Sequence, residues 1–460
     1  MYALFDFSVT DSKFSLKNME KDPMSQTDET RRTFIKTAAI VGVGAALAPF
    51  PGSFPVWAGA PGDDRIKVGL VGCGGRGTGA AAQALAADKG VVIWAMADAF
   101  RDRLDSSLAN LLKEDGKDRV LVPADRQFVG LDAIDKLLPL VDVVLLCSTP
   151  AFRPEQLAKS VAAGKNIFCE KPVCVDSVGY RSVKESVRIA REKNLTIVSG
   201  FCWRSSSPER AIYGEILGGR LGEVVSISAT YLTGPLGTRP RQAGWSDFDF
   251  QLRNWQHFAW LSGDHLVEQA VHSIDKINWA MGGRHPTKCT GIGSRFCRED
   301  VPERGDIYDN FSIIYEYENG PRCVLTTRQQ ANCYNNNDDW INGTKGYAWV
   351  NGWGPTHWIK DYSGKTIWQY PKDGPTPDMY QVEHDTLFKS IREHRTINEG
   401  EFMADSCLMA IMGRMSAYSG KQVTWEEATT SGESLAPKSF ANPMPILKAP
   451  HPGVSPTTAA

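Results

Sequence analysis

A chain of 460 residues, 42% hydrophobic and 23% charged, has the composition of an ordinary globular protein and enough length for more than one core. Its formal net charge of −2 offers no basic footprint for nucleic acid. The ten cysteines form no C-x-x-C pair and no zinc-finger spacing, so they read as small buried hydrophobes rather than a disulfide or metal framework.

In chain order, the first distinctive stretch is Arg31-Arg32, followed by the apolar residues 37–50 and a small-residue site at Ala58-Gly59-Ala60. Twin arginines, a weakly hydrophobic core and an A-x-A end resemble a twin-arginine export signal. The apolar stretch is short for a membrane span, so no stable insertion is expected once residues 1–60 are removed. The resemblance implies a periplasmic or otherwise exported protein that begins near Pro61 and folds, with its cofactor loaded, before export.

The next stretch organises the chain. Ile66-Lys67-Val68-Gly69-Leu70-Val71 reads as a buried parallel strand and runs into Gly72-Cys73-Gly74-Gly75-Arg76-Gly77, a G-x-G-x-x-G loop opening a helix. Such a loop cradles a pyrophosphate at a helix N-terminus. A second apolar strand, residues 91–97, ends on Asp98, placed to bond a ribose hydroxyl. Asp98 favours NAD over NADP because it would repel a 2′-phosphate; Arg101 and Arg103 weaken that preference.

Helices over residues 101–113, 131–138, 154–163 and 178–193 alternate with strands at 141–147, 166–169 and 195–199. That alternation predicts a doubly wound parallel sheet over residues 61–200. Ser148-Thr149-Pro150 and Glu170-Lys171 fall at strand ends, where such folds bind ligands. From residue 223 the pattern changes to half-exposed strands at 224–231, 311–317, 322–327, 347–351 and 366–370. These predict a C-terminal α+β domain, residues 201–436, with an open, mostly antiparallel sheet. Helices at 383–394 and 403–419 would pack back on the first domain, and residues 437–460 would form an extended tail. The open face predicts self-association into a homo-oligomer.

Three features carry candidate chemistry. Lys171, held extended by the proline after it, would point its ammonium off the sheet edge toward a substrate oxygen; alone, a surface ion pair is the commoner fate. If residues 263–275 are one helix, His265, Glu268, His272 and Asp275 share a face of an otherwise apolar helix. His272 is then the candidate general base, with Glu268 assisting it and His265 and Asp275 toward substrate. A zinc site is the minority reading of that stripe. Trp203 and Arg204 fall at the domain junction, where arginine would clamp a substrate oxygen or make an inter-domain ion pair.

Together the glycine loop, Asp98, Ser148-Thr149-Pro150, Ala163-Gly164-Lys165, Glu170-Lys171-Pro172, His272-Ser273-Ile274-Asp275 and the closing Gln422–Glu427 segment resemble the glucose–fructose oxidoreductase / inositol dehydrogenase (Gfo/Idh/MocA) family. The resemblance implies a Rossmann domain with an open-sheet partner domain, a nicotinamide cofactor, and sugar or polyol substrates. It also implies that Lys171 and His272 act at the reacting carbinol. Many family dehydrogenases carry aspartate four residues before that histidine, with glycine between; here Glu268 and Ala270 stand there. Three functions follow as expectations: an exported NAD-dependent sugar or glycoside dehydrogenase, a redox-assisted glycosidase or lyase that restores its cofactor each cycle, and a non-catalytic sugar-binding module.

Overall fold

The strand Ile66–Val71 (β1) sits at the centre of a parallel sheet because both its faces are buried: Val68 and Leu70 enter one core, and Val71 on the opposite face enters the other. The computed structural model describes residues 64–453 other than Asp115, so the expected export signal lies outside the described residues. Val91–Asp98 (β2), Gln127–Val129 (β3), Val143–Leu146 (β4), Asn166–Cys169 (β5) and Ile197–Ser199 (β6) complete the sheet in the order β3-β2-β1-β4-β5-β6. This is the order of a dinucleotide-binding fold, with its switch point between β1 and β4. The three-residue edge strand β3 was not expected from sequence, where that stretch reads as a link.

The second sheet has nine strands: Val224–Thr233 (β7), Lys288–Ser294 (β8), Asn310–Glu316 (β9), Arg322–Gln329 (β10), Asp339–Gly343 (β11), Gly346–Val350 (β12), His357–Asp361 (β13), Thr366–Gln369 (β14) and Val423–Thr424 (β15). Their order is β14-β13-β12-β11-β7-β10-β9-β8-β15, antiparallel except for the β7–β10 pair. Alternation along β9 buries Phe311, Ile313 and Tyr315 and leaves Ile314 exposed, as expected for a sheet with one covered face. The helices Val271–Ala280 and Gly400–Ser419 supply the cover. Among the described residues no helix is long and apolar enough to cross a membrane.

Two late segments knit this sheet to the first. The helix Met379–Arg392 buries Leu387 and Phe388 in the same core as Leu70, Leu145 and Phe168. Residues 437–450 run without regular structure across the helix Asp247–Arg253: Met444 N donates to Asp247 Oδ2 at 3.0 Å, Gln251 Nε2 donates to Met444 O at 3.1 Å, and Phe440 packs on Phe248 and Trp260. The same helix is pinned to the first domain by Arg253, which donates to both carboxylate oxygens of Asp102 at 2.8 and 2.9 Å and lies over the Phe100 ring.

The expected helix over residues 263–275 is not continuous. It breaks at Gln269 and Ala270 into Asp264–Glu268 and Val271–Ala280. Asp264 starts the first piece with φ 74°, accepts from Tyr308 N at 2.8 Å, and takes bonds from His265 N and Tyr418 Oη. Burial raises its pKa to about 6 and that of neighbouring Asp306 to about 7. A carboxyl held above its unfolded value contributes fully to stability below 3.8, and the contribution is lost as pH rises through about 7. Asp306→Asn keeps the acceptor for Ala259 N but cannot ionise. Between pH 5 and 8 its unfolding free energy should therefore fall by about 2 kcal/mol less than that of the wild type, measured by urea titration.

Candidate active site

Where β1 ends, Gly72 takes φ +94°, and a Cβ there would lie 2.4 Å from Ser148 N. A Cβ on Gly77 would lie 1.9 Å from Gly72 O. The protein's own packing demands both glycines. Gly74 is different: its φ of −74° suits any residue and a Cβ meets nothing within 4 Å. A side chain there would instead stand in the way of a ligand approaching the backbone from the cavity that Gly74 lines. The helix Gly75–Ala87 starts without a side-chain cap or an acidic residue in its first turn, which leaves its N-terminal N–H groups and positive dipole end for phosphate oxygens.

Asp98 closes this end of the cavity. Its Oδ2 accepts from Cys73 N at 2.6 Å and its Oδ1 from Phe100 N at 2.9 Å, which fixes the carboxylate while leaving each oxygen a lone pair for a ribose hydroxyl. Burial raises its pKa. Ser148 and Thr149 line the same cavity from the end of β4. Pro150 is buried at the start of the short turn Pro150–Phe152, and Phe152 takes the wall in its place; Cys73 is buried behind the loop with its thiol on Ala97 O.

At the end of β5, Glu170 Oε1 forms an ion pair with Arg76 Nε at 2.7 Å, without an aligned hydrogen bond, and Oε2 accepts from Lys171 N at 3.0 Å. Lys171 Nζ donates to the backbone oxygen of Glu268 at 2.7 Å and stands 3.7 Å from Glu268 Oε1. His272 packs its ring on Trp203 at 5.1 Å and edge-on to Phe201 at 5.8 Å. Its Nδ1 is buried without a partner, so Nε2 is the nitrogen open to the cavity. Burial first, then the charges of Lys171 and Lys276, hold its pKa well below 6.5. Lys171, Glu268, His272, the glycine loop and Asp98 line one cavity of about 790 Å³.

The broken helix separates the rest of the expected polar stripe. His265 turns away to Thr327 Oγ1, and burial lowers its pKa to about 3. Asp275 takes both Nε and Nη2 of Arg204, at 2.8 and 2.9 Å, while that guanidinium lies between the rings of Trp279 and Phe402. Trp203, Arg204, His265 and Asp275 therefore stand behind the cavity wall: Trp203 supports His272, and Arg204–Asp275 is a buried ion pair. Among the described residues no group of three or more His, Cys, Asp or Glu could hold a metal ion. Sequence reasoning missed Tyr231, Asn254, Gln269, Trp353 and Tyr380, which also line the cavity. Only Trp353, alone between two glycines, carried a local signal.

Comparison with known proteins agrees with this geometry. Residues 66–201 match the family described as "Oxidoreductase family, NAD-binding Rossmann fold", and residues 212–349 match "GFO/IDH/MocA C-terminal domain". The chain belongs to the GFO/IDH/MocA family. Its first domain is thus an NAD-binding Rossmann fold. Similar GFO/IDH/MocA-type relatives include inositol 2-dehydrogenase of Rhizobium meliloti (strain 1021), 23% identical over 216 residues, covering 47% of this chain and 58% of the relative. Another is 2,7-anhydro-N-acetylneuraminate hydratase of Escherichia coli (strain K12), 24% identical over 229 residues, covering 49% and 56%. The chain thus spans a little over half the length of these curated relatives. Levoglucosan dehydrogenase, solved with NADH and levoglucosan, shares the fold at TM-score 0.61 and 20% identity, over 78% of this chain and 99% of that one.

Gly74→Ala separates ligand from fold. Its melting temperature should match the wild type within about 2 °C, while NAD binding weakens by about tenfold or more, read by calorimetry.

Proposed function

We propose that the chain is an NAD-dependent oxidoreductase acting on a hydroxyl of a sugar, polyol or glycoside. The observation that carries this reading is the convergence of Lys171, Glu268 and His272 on the cavity that holds the glycine loop and Asp98. Bound NAD supplies an acceptor for the hydride of a carbinol carbon. Lys171 Nζ, steadied by Glu268 O, donates to the carbinol oxygen and stabilises the charge that grows on it. His272 takes the hydroxyl proton at Nε2. Its ring enters neutral because burial and two nearby ammonium groups oppose the imidazolium. The same cations keep the proton from resting there, and Glu268, on the same wall, is the base that relieves it. Relatives named inositol 2-dehydrogenase and levoglucosan dehydrogenase support a ring hydroxyl as the target.

A relative named as a hydratase, a reaction without net oxidation, favours a second reading: a redox-assisted glycosidase or lyase. There the carbinol is oxidised transiently, a neighbouring C–H proton is removed, and the leaving group departs with a proton to leave an enone. Water adds to that enone in a glycosidase, or the double bond remains in a lyase, and the hydride is returned to the carbonyl carbon of the sugar.

Lys171→Met and His272→Ala should each lower kcat by about a hundredfold or more while NAD affinity stays within about threefold. Turnover in deuterated water divides the two readings. Deuterium entering the carbon beside the oxidised one, with no NADH accumulating, supports the second; NADH released in step with product supports the first. Absence of any hydride transfer across sugars and polyols sinks both.

We further propose export through the Arg31-Arg32 signal and self-association through the outer face of the second sheet, where Val225, Ile314 and Trp340 are exposed. Protein recovered from the exporting cell should begin near Pro61 by N-terminal sequencing and sediment as more than one copy. An uncleaved cytoplasmic monomer contradicts both.

A further inference from the structure

Trp353 is the least economical residue on the cavity wall. It sits on the loop between β12 and β13 and is 62% exposed, although an indole is among the largest apolar surfaces a chain can bury. The loop is nevertheless tightly fixed. Trp353 N donates to Asn351 Oδ1 at 3.1 Å, and Asn351 N donates to His357 Nδ1 at 3.2 Å. A Cβ on Gly352 would lie 2.2 Å from Asn337 O, so this backbone is packed directly on its neighbour. With the Asn337 amide turned so that its oxygen faces the indole, that oxygen accepts from Trp353 Nε1. The ring also meets Trp203 at 5.2 Å and 64°, and Trp203 in turn supports His272. The indole is thus anchored by its N–H and by one ring contact, two ring contacts from the proposed base, while most of its surface faces solvent and cavity.

We propose that Trp353 is the stacking platform of a sugar subsite beside Lys171, Glu268 and His272, and that the substrate is a pyranoside ring presenting a face of C–H bonds rather than an open-chain polyol. The inference rests on the oxidoreductase reading of the same cavity and narrows its substrate class. An aromatic face carries negative quadrupole charge and attracts the weakly positive C–H edges of a pyranose, most where the hydroxyls are equatorial and the face is continuous. A polyol has no such face. Tyr231, Gln269, Glu268 and Lys171 line the same cavity and supply polar groups that would fix hydroxyl orientation. Pre-fixing the loop keeps the ordering cost of binding low.

The test uses the NAD-loaded full chain with methyl β-D-glucopyranoside and sorbitol, their binding read by calorimetry and saturation-transfer NMR. Trp353→Ala should weaken the glucoside by about tenfold and Trp353→Phe by about threefold or less, with sorbitol unchanged in both. Saturation should reach the C–H protons of one glucoside face in the wild type and fade in Trp353→Ala. Equal glucoside affinity in wild type and Trp353→Ala overturns the proposal. So does an equal loss for sorbitol, absence of glucoside binding to the wild type, or a changed assembly state with sugar affinity intact. Hydride transfer is followed separately by nicotinamide absorbance. Trp353-dependent glucoside binding, with neither an absorbance change nor deuterium entry for any sugar or polyol, would sink the oxidoreductase reading and leave the subsite standing.

Discussion

One buried carboxylate ties the cofactor loop to Lys171. Glu170, 3% exposed, holds the guanidinium of Arg76 from the start of the phosphate-facing helix and, through its other oxygen, the backbone N–H of Lys171. A carboxylate so far from water is tolerable only because a full positive charge and a hydrogen bond meet it. Its neighbour Glu383 shows the alternative. Both oxygens of that side chain are buried without partners, and burial followed by the charge of Glu170 pushes its pKa far above the usual range, so it stays protonated. The strand-end geometry of β1 and β5 therefore converges on one charge, and the loop and lysine are positioned by the same constraint.

The opposite wall obeys a complementary rule. His272 is surrounded by rings and faced by two ammonium groups, which keeps it neutral and available as a proton acceptor over the range where many enzymes work. Lys276, one turn further along, is itself buried on Asp339 and lies over Trp203. A single column of side chains thus supports the His272 ring mechanically and opposes its protonation. Both tasks depend on the helix Val271–Ala280 being packed from every side.

Much of the first domain was legible because its strands are uninterrupted apolar runs and its glycine loop carries a spacing that physical packing enforces. Gly72 and Gly77 explain why: any side chain at either would collide with backbone. The short edge strand β3 left no such run, and β8, β11 and β13, each with few consecutive apolar residues, were not among the expected strands. The polar stripe from His265 to Asp275 misled for a different reason. Helical spacing assumes an unbroken helix, and the break at Gln269–Ala270 carries no proline or glycine to announce it. Lys171, Glu268 and His272 come together because the Lys171 side chain reaches across 97 residues of sequence to Glu268 beside that break, which no local pattern encodes. Trp203 and Arg204 were placed at the junction by the sequence, but that both stand behind the cavity wall depends on partners, Asp275 and His272, distant in the chain.

The helix Asp247–Arg253 has a kinetic consequence. Together with Asn254, Trp255 and His257, its last residues form cavity wall on the side that also carries Asp98 and Phe100. That wall is fastened twice, by the Arg253–Asp102 fork and by the tail through Met444 and Phe440. A dinucleotide leaving past this side must wait for both fastenings to open. Its residence time would then depend on how well residues 437–450 pack, a stretch that touches none of the groups proposed to do the chemistry.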